Sequence, residues 1–297
     1  MGPLTIRVPA KINLSLDVVG HRPDGYHLLS TIMQAVDVYD ELTLETTAGQ
    51  PEILLTSDSQ DLVLDGRNTC CRAAAAFFAA AGIPDGVRIH ILKRIPLSAG
   101  MGGGSADAAG VLAGLDRLYP GRVSPGALRE TGISIGADVA FCMIGGTALC
   151  EGIGEYTTPL VPFDGVPLLI VKPAFGVSTA WVFSHLDSKN LGVRPDNPRV
   201  IRAMAAADLR LLSQSTGNVL ESVTITAYPL LAQIRRWLLD SGAGMAAMSG
   251  SGPAMFGLYD DPARCAQAVG TIRKALGSAG EVLCTRTVSN GPLIQLA

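Results

Sequence analysis

Alternating apolar and polar positions mark the start of the chain. Residues 4–20 alternate over much of their length, which predicts a long strand. Residues 28–47 follow with many β-branched side chains, typical of a second strand. Between them, the sequence RPDGYH carries Pro23 and an Asp24-Gly25 pair, both typical of a turn. Two shorter strands are predicted at residues 51–58 and 87–93.

Two helices are predicted in the same half of the chain. Asn68 is a helix-capping residue type, and it precedes the apolar run TCCRAAAAFFAAA, which Gly82 ends. A second helix is predicted from about Ser105 to Leu118. A cluster of four glycines lies directly before it: Gly100, Gly102, Gly103 and Gly104. The order of strand, glycine loop and helix is the most informative local feature of the chain.

Strands and helices alternate after about residue 160. Strands are predicted at 167–173 and 281–288, and a strand, a tight loop and a strand at 244–260. Helices are predicted at 179–187, 198–213, 228–242 and 261–277. This order predicts a second domain with a split βαβ, ferredoxin-like arrangement. We therefore expect two domains, residues 1–160 and 161–297, joined by a turn-rich linker near Pro159 to Pro167.

Composition excludes several classes of protein. With 48% hydrophobic and 16% charged residues, the chain has enough apolar material for full cores and is unlike a disordered chain. A net charge of -3 provides no global basic field, so we expect neither nucleic acid nor membrane as partner. The sequence shows no signal peptide, and its six cysteines show no CxxC spacing. These features predict a cytoplasmic protein with reduced, buried thiols and no cysteine-bound metal.

The glycine loop has the composition of a phosphate-binding site. A helix N-terminus presents free N–H groups and the positive end of the helix dipole, and glycines let the backbone approach an anion closely. The loop is not a Walker A sequence, and Ser105 stands where the GxGxxG fingerprint requires its last glycine. A structural strand-to-helix turn is the alternative interpretation. A second glycine loop, SGSGP at 249–253, is a hairpin turn when taken alone.

Three segments, in order, together resemble the motifs of the GHMP kinase superfamily. They are PAKINLSLDVVGHRPDGYHLLSTIMQAVD (9–37), PLSAGMGGGSADAAGVLAGL (96–115) and SGSGPAMFGLY (249–259). GADVAF (136–141) and GNVLE (217–221) fit between the second and the third. The resemblance therefore spans almost the whole chain.

The resemblance implies an α+β fold and a kinase activity. The expected fold is the two-domain GHMP kinase fold, a ribosomal protein S5 domain 2-like N-terminal domain followed by a ferredoxin-like C-terminal domain. Within the superfamily, RPDGYH is similar to the members that phosphorylate a hydroxyl of a cytidine-diphospho polyol in non-mevalonate isoprenoid biosynthesis. Two alternatives stay open: another small-molecule kinase of the superfamily, of homoserine or mevalonate type, and a non-catalytic nucleotide-binding regulator.

The resemblance also implies roles for individual residues. Asp138 is the expected catalytic carboxylate at the acceptor hydroxyl, as base or orienting group, with Lys11 beside it. Tyr26 and Phe183 are expected to sandwich the cytosine ring. The expected substrate-binding residues are Asn13, Tyr26, His27 and Phe183. The expected ATP-binding residues are Asn68, Lys93, Pro96, Gly100, Met101, Gly102, Gly103, Gly104 and Ser105.

The expected ligands are ATP, Mg²⁺ held mainly by phosphates and water, and the small-molecule substrate, bound by a monomer or a weak homodimer. Each residue assignment has a structural alternative. Lys11 could be a solvated charge on a strand, and Asp138 could only cap a helix. Tyr26 and His27 could merely flank a turn, and Phe183 could be a core residue. Ala106 stands where the family usually has a second serine, which removes one hydroxyl near the phosphates.

Overall fold

The first half of the chain, together with one strand from its end, builds a seven-stranded sheet, seen in a computed structural model that describes residues 2–296. Its strands are β1 (Leu4–His21), β2 (His27–Thr47), β3 (Ile53–Ser57), β4 (Gly86–Leu92), β5 (Thr147–Gly152), β6 (Tyr156–Pro159) and β11 (Leu293–Leu296). The order is β11-β1-β2-β4-β3, and β5 pairs with β2 and β6. The four strands predicted in this half are confirmed, whereas β5 and β6 were not predicted.

Four helices cover this sheet: α1 (Thr69–Ala81), α2 (Gly103–Leu118), α3 (Pro125–Ile135) and α4 (Val139–Ile144). Asn68 caps α1 as predicted, since its side chain accepts the N–H of Cys70, and Gly82 ends the helix in the left-handed conformation. Helix α2 lies very close to the sheet, because a Cβ at Gly110 would come 2.6 Å from Val8 Cγ1. This close packing fixes the start of α2, and with it the glycine loop, over β1.

The second half builds a four-stranded antiparallel sheet. Its strands are β7 (Pro167–Pro173), β8 (Met245–Met248), β9 (Met255–Leu258) and β10 (Gly280–Arg286), in the order β10-β7-β9-β8. Its helices are α5 (Thr179–Ser184), α6 (Asn197–Ala205), α7 (Leu209–Ser215), α8 (Glu221–Ala227), α9 (Leu230–Asp240) and α10 (Pro262–Leu276). This strand order and connectivity are ferredoxin-like, so the predicted architecture is confirmed.

Three features of the second half differ from the sequence prediction, and one of them is helix α8, which was not predicted. The helix predicted at 198–213 is two helices, because Ala207 adopts a φ of 49° and Asp208 then caps α7. Strand β11 was not predicted, and it pairs with β1 in the first sheet. The chain therefore returns to the first sheet at its end, and the segment 161–297 contributes to both sheets.

The segment between α7 and α8 contacts the first sheet along the second half of β1. Leu16 donates its N–H to the carbonyl of Gly217, and its own carbonyl accepts the N–H of Val219. A cleft opens beside this junction.

Within residues 2–296, no helix has the length and apolar character that crossing a membrane requires.

Candidate active site

The cleft has a volume of about 320 Å³ and lies between β1, the glycine loop and the β8–β9 turn. Its walls combine backbone-rich loops with a few polar side chains. Those that carry the argument below are Lys11, Asn13, Thr69, Ser105, Asp138, Thr179, Phe183, Gly250 and Ser251, together with Pro96 and the loop Gly100–Gly104. All three segments of the sequence resemblance therefore contribute to one cleft.

Glycines let the loop before α2 pack against its neighbours by its backbone. Gly100 and Gly102 have φ values of 76° and 71°, a region that side-chain-bearing residues rarely adopt. A Cβ at Gly102 would lie 2.9 Å from Lys11 Cγ, so the loop rests directly on the Lys11 side chain. Lys11 N donates to the carbonyl of Met101 at 3.0 Å. The Ser249 hydroxyl donates to the carbonyl of Gly100 at 2.8 Å.

The N-terminus of α2 opens into the cleft without a side-chain cap. Gly102 is the N-cap residue and offers no side-chain acceptor, so the first N–H groups of this 16-residue helix stay available. Together with the helix dipole, they form a site suited to an anion. The Ser105 side chain also lines the cleft. Ala106 is 1% exposed and packs in the core. A serine at this position would therefore carry its hydroxyl on a buried residue.

Lys11 and Asp138 face each other across the cleft floor. Lys11 Nζ lies 3.2 Å from Asp138 Oδ2, and their side chains are 5% and 31% exposed. Lys11 is therefore a buried, paired cation and not a solvated strand charge. Asp138 is the N-cap residue of α4, but its side chain makes no capping hydrogen bond. Its carboxylate is thus directed to Lys11 and the cleft. The structure does not have the alternative in which Asp138 only caps a helix.

Asn13 orients the Lys11 ammonium. Lys11 Nζ donates to Asn13 Oδ1 at 2.7 Å, and Asn13 Nδ2 donates to Thr31 Oγ1 at 2.9 Å. The Thr31 hydroxyl donates in turn to the carbonyl of Ser15 at 2.6 Å. Because Asn13 Oδ1 accepts from an ammonium and Nδ2 donates to a hydroxyl, the Asn13 amide has a fixed orientation. Asn13 is 2% exposed and lines the cleft next to the ion pair.

Two of the expected substrate-binding residues, His27 and Phe183, lie against each other with their rings tilted by 36°. Phe183 lines the cleft, and its ring centroid lies 4.9 Å from that of His27. His21 lies 4.3 Å beyond His27. Burial, and then the nearby His21, lower the pKa of His27, which favours the neutral ring. Tyr26 is 60% exposed in the β1–β2 turn and is not on the cleft lining, so the structure brings His27, and not Tyr26, against Phe183.

Asn68 and Lys93 lie outside the cleft lining. The Asn68 side chain is used locally, since it caps α1 and donates to the carbonyl of Val63 at 2.7 Å. Its neighbour Thr69 does reach the cleft, with its hydroxyl donating to the carbonyl of Gly104 at 2.7 Å. The Lys93 ammonium lies beneath α2 and is enclosed by two carboxylates, those of Asp40 and Asp107.

The β8–β9 turn supplies site residues that the sequence reasoning did not select. The Ser251 hydroxyl lies 2.8 Å from that of Thr179, and both residues line the cleft with Gly250. Asn218 Nδ2 donates to the carbonyls of Met248 and Gly250 at 2.9 and 2.8 Å. In the sequence, the motifs SGSGP and GNVLE were the signal for these residues. The hydrogen bonds of Asn218 bring the two motifs into contact in the structure.

The cleft has few groups that could hold a metal by themselves. Across residues 2–296, no group of three or more His, Cys, Asp or Glu side chains is close enough to bind one ion. Asp138 and Ser105 are the cleft's carboxylate and its hydroxyl at the anion site. This oxygen donor set fits Mg²⁺ bound mainly by phosphate oxygens and water, which is how that ion binds at many nucleotide sites.

Comparison with protein families gives two matches in chain order. The family model for the GHMP kinases N terminal domain matches residues 68–146, and the model for GHMP kinases C terminal matches residues 200–277. The first match contains the glycine loop and Asp138. The second contains most of α6, all of α7 to α10 and both strands β8 and β9.

Named relatives match along nearly the whole chain. The 4-diphosphocytidyl-2-C-methyl-D-erythritol kinase of Clostridium kluyveri is 44% identical over 96% of this chain and 100% of its own length. That of Clostridium novyi is 45% identical over 86% of this chain and 90% of its own length.

Solved structures show the same fold. A crystal structure of 4-(cytidine 5'-diphospho)-2C-methyl-D-erythritol kinase superposes with a TM-score of 0.81 at 32% identity, covering 96% of this chain and 99% of that one. The homoserine kinase of Cytophaga hutchinsonii superposes with a TM-score of 0.80 at 20% identity, covering 99% and 98% of the two chains. The second likeness concerns the fold alone.

Proposed function

Because the chain belongs to the GHMP kinase family, we propose that it transfers the γ-phosphate of ATP to 4-diphosphocytidyl-2-C-methyl-D-erythritol. The chain is an ATP-dependent small-molecule kinase, and its relatives of 41–45% identity carry the name of this kinase. The products are ADP and the 2-phosphate of the substrate, as non-mevalonate isoprenoid biosynthesis requires.

The observation that carries the proposal is the ion pair between Lys11 and Asp138 beside the open N-terminus of α2. The pair joins Nζ and Oδ2 at 3.2 Å, and both residues line the same cleft as the glycine loop. Phosphoryl transfer needs positioning and charge stabilisation more than covalent help from the protein. An anion site, a cation and the carboxylate paired with it, all within one cleft, provide those elements.

Asp138 acts on the acceptor hydroxyl. Its carboxylate accepts a hydrogen bond from the hydroxyl and receives the proton while the hydroxyl oxygen bonds to the γ-phosphorus. The bond from the γ-phosphorus to the bridging oxygen breaks, and ADP keeps that oxygen. Lys11, held by Asn13, pairs with Asp138 and offsets the charge on the transferring group.

The two substrates approach from opposite sides of this pair. The ATP phosphates lie on Gly100 to Ser105, where backbone N–H groups and the Ser105 hydroxyl are available. The cytidine lies toward Phe183 and His27, because an aromatic face suits a pyrimidine base. Binding energy from this remote cytidine holds the reacting hydroxyl in place.

Mg²⁺ accompanies ATP, held mainly by phosphate oxygens and water near Asp138 and Ser105. The ion supplies charge neutralisation on the phosphates when it is bound. We also propose that the chain works in the cytoplasm, where its six free cysteines stay reduced, as a monomer or a weak homodimer.

A panel of acceptors tests the proposal. ADP release is measured with ATP, Mg²⁺ and, in turn, the cytidine-diphospho polyol, its unlinked methylerythritol phosphate, homoserine, mevalonate and galactose. We expect the highest kcat/KM with the cytidine-diphospho polyol, and a lower kcat as well as a higher KM without the cytidine part. A preference for homoserine or mevalonate would assign the chain to another kinase of the family. Nucleotide binding without turnover of any acceptor would instead indicate a regulator.

A further inference from the structure

A buried charge cluster lies beneath the glycine loop. Lys93 Nζ lies 2.5 Å from Asp40 Oδ2 and 2.5 Å from Asp107 Oδ2. All three side chains are at most 4% exposed, so solvent screens them little. Apolar residues of similar volume often replace such buried ions without loss of stability. The cluster is therefore poorly explained by stability alone.

Asp40 holds the chain segment that enters the glycine loop. Its Oδ1 accepts the backbone N–H groups of Arg94 and Ile95 at 2.6 and 2.8 Å, while its Oδ2 faces the Lys93 ammonium. Asp40 lies in β2, within the rigid sheet. The backbone just before Pro96 is thus fixed to the sheet by one carboxylate.

Asp107 and Lys93 hold the segment that leaves the loop. Asp107 lies on the second turn of α2, and its Oδ2 accepts from the Lys93 ammonium. A Cβ at Gly103 would lie 3.2 Å from Lys93 Nζ, so the ammonium packs directly under the first residue of the helix. A side chain at Gly103 would therefore point into the cluster and not toward the cleft.

We propose that Lys93 is a positioning residue that ties the two ends of the glycine loop together through Asp40 and Asp107, and that it does not itself contact the nucleotide. The inference rests on the proposed ATP site at this loop. The loop between the two ties contains Gly100 and Gly102, whose backbone freedom would have to be lost on binding. A loop that is ordered beforehand loses less entropy when ATP binds.

The net charge of the cluster suits its position beneath the proposed phosphate site. Two carboxylates face one ammonium, and Asp107 Oδ1 has no hydrogen-bond partner. Burial raises the pKa of Asp107 to about 8, and Lys93 only partly opposes this. A protonated Asp107 leaves one carboxylate against one ammonium, so no excess negative charge lies under the phosphates.

Substitution of Asp107 distinguishes a positioning role of Lys93 from direct binding of the nucleotide by Lys93. The dissociation constant of a non-hydrolysable ATP analogue is measured for wild type, Asp107→Leu, Lys93→Met and Asp116→Leu, a control near the other end of α2. Leucine removes the oxygen that accepts from Lys93, so we expect Asp107→Leu and Lys93→Met each to weaken binding about tenfold, as loss of preorganisation costs, with an unchanged KM for the polyol substrate. A direct Lys93 ligand would be freed by Asp107→Leu, and wild-type or tighter binding by that variant would overturn the inference.

Amide hydrogen exchange on the wild-type enzyme provides a test that needs no variant. The amides of Arg94 and Ile95 donate to Asp40, so we expect them to be as protected as those of β4 before nucleotide is added. A large gain of protection there on nucleotide binding would mean that ATP, and not the cluster, orders the loop. Absence of analogue binding by the wild type would count against the proposed function itself.

Discussion

Replacement of Asp138 by asparagine removes the charge of the proposed catalytic carboxylate and keeps its shape. Lys11 is 5% exposed, so the change leaves a buried ammonium with Asn13 as its main partner. At 3.2 Å, Coulomb's law gives about 5 kcal/mol for the pair at an effective dielectric constant near 20, and about 1 kcal/mol in water. Since the Asp138 side chain is 31% exposed, we expect a loss of about 1–3 kcal/mol in the free energy of unfolding.

The expected loss of activity is larger than this loss of stability. General-base catalysis is worth roughly 10²–10⁴-fold, so kcat should fall by that factor at a temperature where the variant stays folded. The dissociation constant of ATP should change little, because the contacts of Gly100 and Met101 that hold the loop do not involve Asp138.

A double-mutant cycle tests whether Lys11 and Asp138 act together. The kcat values of Asp138→Asn, Lys11→Met and the double variant are compared with wild type under saturating substrates. Because the two side chains act as one unit, the double variant should lose much less than the product of the two single losses.

A matched control for this cycle is available on the surface. Asp37 pairs with Arg286 at 3.2 Å, and its side chain is 34% exposed, close to the values for Asp138. Asp37→Asn should therefore leave kcat near the wild-type value. Multiplicative losses in the Lys11 and Asp138 cycle would refute the reasoning, since they would mean that the two residues act independently.

Three further outcomes are expected. Phe183→Ala should weaken binding of the cytidine substrate by about 1–3 kcal/mol, the range for stacking of a base, and leave the KM for ATP unchanged in steady-state kinetics. Titration of the native protein with a thiol reagent should give one fast-reacting cysteine, Cys284, since the other five are buried; a second fast thiol would contradict this burial pattern. Burial holds the pKa of Asp107 at about 8, above its unfolded value, so the folded state keeps this proton longer. The stability of wild type relative to Asp107→Asn should therefore fall as pH rises from about 4 to about 8 in denaturant titrations, and a flat difference would exclude a raised pKa.

Local sequence patterns were sufficient to predict the elements whose ends are marked by characteristic residues. The order of strand, glycines and helix around Gly100 to Ser105 predicted a loop at a helix N-terminus, and Asn68 and Gly82 marked the ends of α1. The contact between Lys11 and Asp138 was predicted only from the family resemblance. No local pattern relates a strand residue to a helix start so far along the chain.

The features that were missed depend on contacts between distant segments. The Lys93 ammonium is enclosed by Asp40 and Asp107, which lie 53 and 14 positions away in the sequence, and no local pattern indicated these partners. Strand β11 has four residues and is defined by its pairing with β1. The contact of His27 with Phe183 likewise joins the start of β2 to α5 in the second half.

The most direct test of the account follows the phosphorus atoms of the reaction. The wild-type enzyme is incubated with ATP, Mg²⁺ and 4-diphosphocytidyl-2-C-methyl-D-erythritol, and the mixture is examined by phosphorus NMR. We predict one new phosphomonoester signal that grows in equal amount with ADP, while the diphosphate signals of the substrate persist. Growth of inorganic phosphate without a new monoester, or loss of the substrate's diphosphate, would contradict transfer to the polyol hydroxyl.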